Sequence, residues 1–365
     1  MKRTTLVLSS ILFLATSSFA KDEPPPRLKL VCFALPADKA SERAAALFNQ
    51  RLRDAFSSAS GHELIDTKAF LYRGDRDPRM NDQHQARSMA QEGQEALDVM
   101  EMEDGIAKLL KAKEKYQKSV GRFGDGKEYV NLMLQIGAAQ ILAGKVDDAA
   151  MIFQEAAMFD PEVQMDPAKY TPAMLDVLER GRVFAASQPL CAGQVKSVPD
   201  AAEVYRNGVF VGVSPLAFRN VPEGTQYLRV EKDGYLPWGE QVEFQAMGEE
   251  YYQAKLDKAS RLKAFQALLK DKILEDMNES PPPFPIVRLG EFFEAKRLVL
   301  LKVKQEGLEI KVDFLFIELD PRRKLHFHSG DTFRLNPDHN LILNSELFQK
   351  QVDKYFKDQA KQLFH

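Results

Sequence analysis

The chain has 365 residues, a formal net charge of −3, 44 % hydrophobic residues and 28 % charged residues. That length leaves room for two or three domains with cores of their own, and the balance is that of an ordinary globular protein. No basic domain or stripe stands out, which argues against nucleic-acid binding.

Residues 1–20 read as a secretory signal peptide. Lys2-Arg3 form a positive start, Leu6 to Ala15 an apolar core, and Ser18-Phe19-Ala20 a small-residue cleavage site before Lys21. The apolar run is too short to span a bilayer. The mature chain is therefore expected to start at Lys21, to be exported, and to keep no transmembrane span. Residues 21–27, with Pro24-Pro25-Pro26, make a stiff lead-in. An exported chain can form disulfides, and Cys32 and Cys191 both lie in apolar surroundings. The sequence leaves open whether they bridge or stay as two buried thiols.

Residues 28–83 predict half of an α/β domain and a linker. Leu28 to Leu35 is strand-like, Ser41 opens a helix with apolar spacing at Ala44, Leu47, Leu52 and Phe56, Gly61 ends it, and His62 to Asp66 is a second strand. Tyr72 to Gln83 is polar and reads as the linker. Residues 84–187 predict helices, clearest at Tyr129 to Pro161, with a last helix at Thr171 to Ala186. Residues 190–257 are β-rich: Asn207-Gly208 between apolar runs is a hairpin signal, and Pro222-Glu223-Gly224 and Asp233-Gly234 mark further reversals. Alternation puts Val204, Val211, Leu228, Val230, Val242 and Phe244 in a core, and Tyr205, Tyr227 and Arg229 outward. Residues 258–365 predict an amphipathic helix over Ser260 to Met277, ended by Pro281-Pro282-Pro283, and a short helix over Leu289 to Ala295. Strands follow at Arg297 to Val303, Leu308 to Leu319 and Lys324 to His328, then a helix at Ser345 to Phe364. Each end alone leaves unpaired strand edges, which folded proteins avoid. The C-terminal region is expected to complete the domain begun at 28–72, the alternative being two independent small domains.

Several of these stretches resemble known families. Ser197-x-Pro199, Val204-Tyr205-x-x-Gly208, Gly212-x-Ser214-Pro215, Pro222-x-Gly224 and Gly234-Tyr235 together resemble a PEGA domain, although Pro199-Asp200-Ala201-Ala202 lacks that family's glycine. The resemblance implies a small β-sandwich interaction module, here expected to be antiparallel and to fold alone. Ile136-Gly137, Gly144, Ala149, Phe153, Ala156 and Pro161 resemble one tetratricopeptide repeat, and Ala112, Tyr116 and Ser119 echo it one unit earlier. The two ends resemble a TolB amino-terminal-like α/β domain. The expected fold class is thus multidomain α+β, with tetratricopeptide-like helices, a PEGA-like β-sandwich and an α/β domain built from both ends.

No motif argues for chemistry. His326 and His328 share one strand face, with Asp338 and His339 nearby, but no ligand set is complete. Gly124-Asp125-Gly126-Lys127 lacks the strand and the Ser/Thr of a phosphate loop and reads as a solvated turn, and Asp75, Asp77 and Asp82 lack calcium-loop spacing. No metal and no cofactor is expected. What the combined resemblance implies is a non-catalytic periplasmic scaffold or adaptor of a bacterial envelope complex, near peptidoglycan or the outer membrane, in motility or secretion. Its expected contacts are Tyr205, Tyr227 and Arg229 on the β module, residue types favoured at interfaces, with Gln135 and Gln140 on the helices. The alternative is an envelope hydrolase or carbohydrate-modifying enzyme with its site in the C-terminal third.

Overall fold

The computed structural model describes residues 27–57, 62–246, 248–270, 273–274, 284–319, 324–339 and 342–364, with the side chains of 249, 270 and 324–328 left aside. The signal-peptide reading and Gly61 lie outside the described residues, as do the His326 and His328 side chains.

Strand β1, Leu28–Pro36, is a near-continuous apolar run buried on both faces, the pattern of a strand inside a covered sheet. Asp38 caps the turn that follows by accepting from the Ser41 amide at 3.0 Å, and helix α1, Glu42–Ser57, buries Ala44, Leu47, Phe48, Leu52 and Phe56 along one side. Strand β2, His62–Leu64, and helix α2, Thr67–Leu71, follow. After the helices and the β module the chain returns with α8, Leu262–Lys270; α9, Phe284–Phe292; β10, Arg297–Glu306; β11, Glu309–Glu318; β12, Lys324–Arg334; and α10, Glu346–Phe364. The sheet order is β12-β11-β10-β1-β2. β1 runs parallel to both neighbours, from Leu30 opposite Arg297 to Pro36 opposite Val303, while β10, β11 and β12 are antiparallel.

One sheet therefore joins residues 28–64 to residues 297–334. The alternation of β1 serves two cores. Leu30, Cys32 and Ala34 meet α1 and α10; Val31, Phe33 and Leu35 meet α2, α8 and α9.

Between the halves lie five helices: α3, Pro78–Asp98; α4, Met102–Lys118; α5, Lys127–Leu142; α6, Val146–Phe159; and α7, Pro172–Ala186. They form two antiparallel hairpins and a fifth helix packed on α6. The expected linker over 72–83 is shorter than read. Pro78 already stands in the first turn of α3, and Asp77 caps it, because proline there gives up an amide with no helical partner. Gly144, at φ +76°, turns α5 into α6. Gly137 matters for packing, since a Cβ there would strike the Phe153 ring.

The β module has seven strands: β3, Leu190–Val198; β4, Glu203–Arg206; β5, Val209–Val213; β6, Leu216–Pro222; β7, Gly224–Glu231; β8, Trp238–Phe244; and β9, Glu249–Lys255. They make two sheets, β6-β3-β9 and β5-β4-β7-β8. Both contribute to a single apolar cluster that includes Val204, Leu228, Val230, Val242 and Phe244, with Val211 at its margin. Asn207 and Gly208 have φ of 49° and 80°, as a type I′ turn requires. The module is not wholly antiparallel: β9 pairs with β3 in parallel.

One further reading is corrected, and one that the sequence left open is decided. The helix expected at Leu289 to Ala295 starts earlier, at Phe284, with Pro285 in its first turn where a missing amide costs nothing. Cys32 and Cys191 are both free and buried in different cores, so no disulfide joins them.

Candidate functional site

The outward sheet face of the module, β5-β4-β7-β8, holds Tyr205, Tyr227 and Arg229. Alternation does send them away from Leu228 and Val230, but the face is not open: they are 7 %, 3 % and 8 % exposed. Other parts of the same chain cover it, and periodicity cannot reveal a cover. As outer contacts for a partner these three are corrected; they are internal contacts.

Half of this face meets the helices. Tyr227 enters the helical core, its ring 5.4 Å from Phe123, 5.5 Å from Tyr129 and 5.5 Å from Phe159. Its hydroxyl lies 3.0 Å from that of Tyr129 and donates to Glu155 at 3.3 Å, and Gln117 donates to it at 3.1 Å. Burial pushes both phenols up, so both remain protonated donors.

The other half meets α1 and α2 through charge. Arg53 of α1 pairs with Glu203 of β4 and, at 3.2 Å, with Asp233 just after β7. Lys68 of α2 pairs with Glu203 and, at 2.6 Å, with Glu231. Arg229 pairs with Glu231 and stacks 3.9 Å above the Tyr205 ring, whose hydroxyl donates to Glu203 at 2.8 Å. Thr67 and Asn49 each donate to Asp233 at 2.9 Å. Burial alone would raise the Glu231 carboxyl; Arg229 and Lys68 outweigh it and hold it down to about 2. The cluster is matched in charge, three cations to three carboxylates, as buried ions require.

Gln135 is half-buried on α5. Gln140 is 4 % exposed, and its Oε1 is buried without a hydrogen-bond partner among the described residues. Neither lines the open groove next to this helix. That groove, of about 510 Å³, lies between α5, the loop after α6 and the β4–β5 hairpin. α5 offers it Lys127, Val130, Asn131 and Leu134, which recur at helical spacing on one side. Gln140 points to the opposite side of the helix. The hairpin adds Arg206 and Val209, and Val209 is 65 % exposed. Sequence reasoning missed this set, although the spacing on α5 and the place of Arg206 just before Asn207-Gly208 were both legible.

Gly124-Asp125-Gly126-Lys127 is a turn between helices, with Gly124, Asp125 and Lys127 exposed as expected, and it also touches the β module. Arg229 donates to the Gly124 carbonyl at 3.0 Å, and a Cβ at Gly208 would overlap the Asp125 carbonyl. Asp77 takes part in ion pairs with Arg79 at 2.9 Å and Arg122 at 2.6 Å. His339 lies exposed in the turn Pro337–His339. Among the described residues no group of three or more His, Cys, Asp or Glu is placed to hold a metal ion, and no helix is long and apolar enough to cross a membrane.

No curated protein matches the chain. The family comparison does locate its central module: residues 194–260 match the PEGA domain, a type of module that points to protein interaction outside the cytoplasm.

Proposed function

We propose that the chain is a non-catalytic, periplasmic scaffold or adaptor of a bacterial cell-envelope complex. It holds envelope partners, near peptidoglycan or the outer membrane, through its helices and its PEGA domain, in an apparatus for motility or secretion. The helices 78–186 are read as tetratricopeptide-like, on the support of Gly137 against Phe153 and the Gly144 turn. The sheet shared by the two chain ends is read as a TolB amino-terminal-like domain.

The observation that carries this reading is the fixed seat of the PEGA domain. Its sheet face is spent on the chain's own helices and on α1 and α2, so it sets the angle between two units while one wall of an open groove is left to a partner. The test is affinity capture from the envelope of the source cells after chemical crosslinking. Parent protein and a folded Asn131→Arg/Val209→Asp variant are compared. The scaffold reading expects a defined set of envelope proteins with the parent and its loss with the variant. Identical capture by both would place binding elsewhere. Turnover of peptidoglycan or an envelope polysaccharide by the purified protein, abolished by a substitution in the C-terminal third, would replace the scaffold with the enzyme.

A further inference from the structure

Arg206 ends β4, and its backbone is held between Val209 of the hairpin and Leu228 of β7. The residue lines the groove beside α5. The cations on the other flank of the domain are matched: Arg53 and Lys68 with Glu203, and Arg229 with Glu231. Arg206 differs. Half-buried, its guanidinium makes no ion pair and no side-chain hydrogen bond among the described residues, and burial alone pulls it below the usual arginine range. Three carboxylates line the groove, Asp125, Asp160 and Glu162, and among the described residues none of them pairs with Arg206. Asp125 pairs with Lys127 at 3.0 Å, and Asp160 accepts from the Glu162 amide at 3.0 Å. A half-desolvated charge left unpaired is unfavourable for folding, and such groups mark places where a ligand supplies the missing partner.

The surroundings narrow the ligand. Val130, Leu134, Phe159 and Val209 give apolar walls, and about 510 Å³ falls within the range of ligand sites. Asp160 and Glu162 on the wall disfavour a polyanion such as nucleic acid or an anionic membrane. One planar guanidinium among apolar walls suits one carboxylate flanked by apolar groups, because its fork matches both carboxylate oxygens. We propose that the groove holds an extended peptide segment of a partner, with one acidic side chain on Arg206 and its apolar neighbours against Leu134 and Val209. The proposal rests on the scaffold reading for the existence of a partner and adds what that partner must present.

The experiment is an array of amidated heptapeptides with a central Glu flanked by Leu, Val or Phe, each beside its Gln twin, probed with the full protein. Shorter apolar peptides with a free C-terminal carboxylate form a third set. Binding should be saturable for some Glu peptides and at least about tenfold weaker for their Gln twins, the loss of one charge-assisted pair. Arg206→Gln should erase that difference, and Arg206→Lys should keep part of it. Arg206→Gln should also melt no lower than the parent, since it removes an unpaired charge. Equal binding of Glu and Gln twins, a preference that survives Arg206→Gln, or binding confined to free carboxyl termini each overturns the proposal. So does a clearly lower melting temperature of Arg206→Gln, which would reveal an internal partner. If no peptide binds while crosslinked envelope partners are still captured, the acidic segment is wrong and the scaffold stands.

Discussion

The PEGA domain presents one sheet to two neighbours, and the two junctions are built differently. Toward the helices it inserts Tyr227 among Phe123, Tyr129 and Phe159, a junction of ring area with a few hydroxyl hydrogen bonds. Toward α1 and α2 it sets Glu203, Glu231 and Asp233 against Arg53 and Lys68, with Arg229 folded over Tyr205. Apolar area is favourable in many orientations, whereas a cluster of buried ions is tolerable in only one. The difference suggests that the helical side supplies adhesion and the ionic side supplies registry, the best-attested use of buried charge.

The comparison breaks most visibly at Glu203, which serves both Arg53 and Lys68. Glu203→Ala should destabilise the protein by roughly 3–5 kcal/mol, because two cations lose a buried partner. Urea unfolding measures it; a loss below about 1 kcal/mol would show the cluster to be wet and weak.

On the helical side, Tyr227→Ala should cost about 3 kcal/mol through lost packing. Tyr227→Phe keeps the ring and should cost only about 1 kcal/mol for its hydroxyl contacts. If the Phe variant loses as much as the Ala variant, hydrogen bonding rather than area holds this junction.

Acid separates the two junctions without any substitution. Glu231 falls from 4.5 to about 2 in the folded protein. A carboxyl depressed by folding stabilises above its unfolded value, and that stability is lost as pH drops toward the folded value. The ionic junction should therefore weaken between about 4.5 and 2, by on the order of 3 kcal/mol from Glu231 alone. The phenols of Tyr129 and Tyr227 are raised and stay neutral throughout that range. Hydrogen exchange on descending pH should thus open α1 and α2 before α5 and β7; simultaneous opening would unite the two junctions.

The smallest effect tests the turn beside the groove. Gly208→Ala should cost at least about 1 kcal/mol for its positive φ, more if the Asp125 carbonyl cannot yield. Thermal unfolding checks it, and an unchanged melting temperature would mean that the hairpin and the 124–127 loop shift together at little cost.

Much of the fold was legible locally. The helix starts at Asp77-Pro78 and Thr171-Pro172 follow capping chemistry, although the first was read as linker because its residues are polar. Gly137, Phe153 and Ala156 showed where α5 and α6 press together. The site was less legible. Tyr205, Tyr227 and Arg229 have the composition of an interface and form one, with this chain as its own partner. Arg206 carries no local mark of being unpaired, since pairing depends on which side chains arrive from far along the chain.

By itself the sequence determined the central module: its turns, because positive φ at Asn207 and Gly208 is a matter of local sterics, and its core, because side chains alternate along a strand. Only the tertiary structure decided what covers that module. Lys68 and Glu203 stand 135 residues apart, and Tyr129 and Tyr227 stand 98 apart. No period or turn signal reaches so far. The parallel pairing of β1 with β10 was decided in the same way, by burial of both sheet faces once the chain ends met.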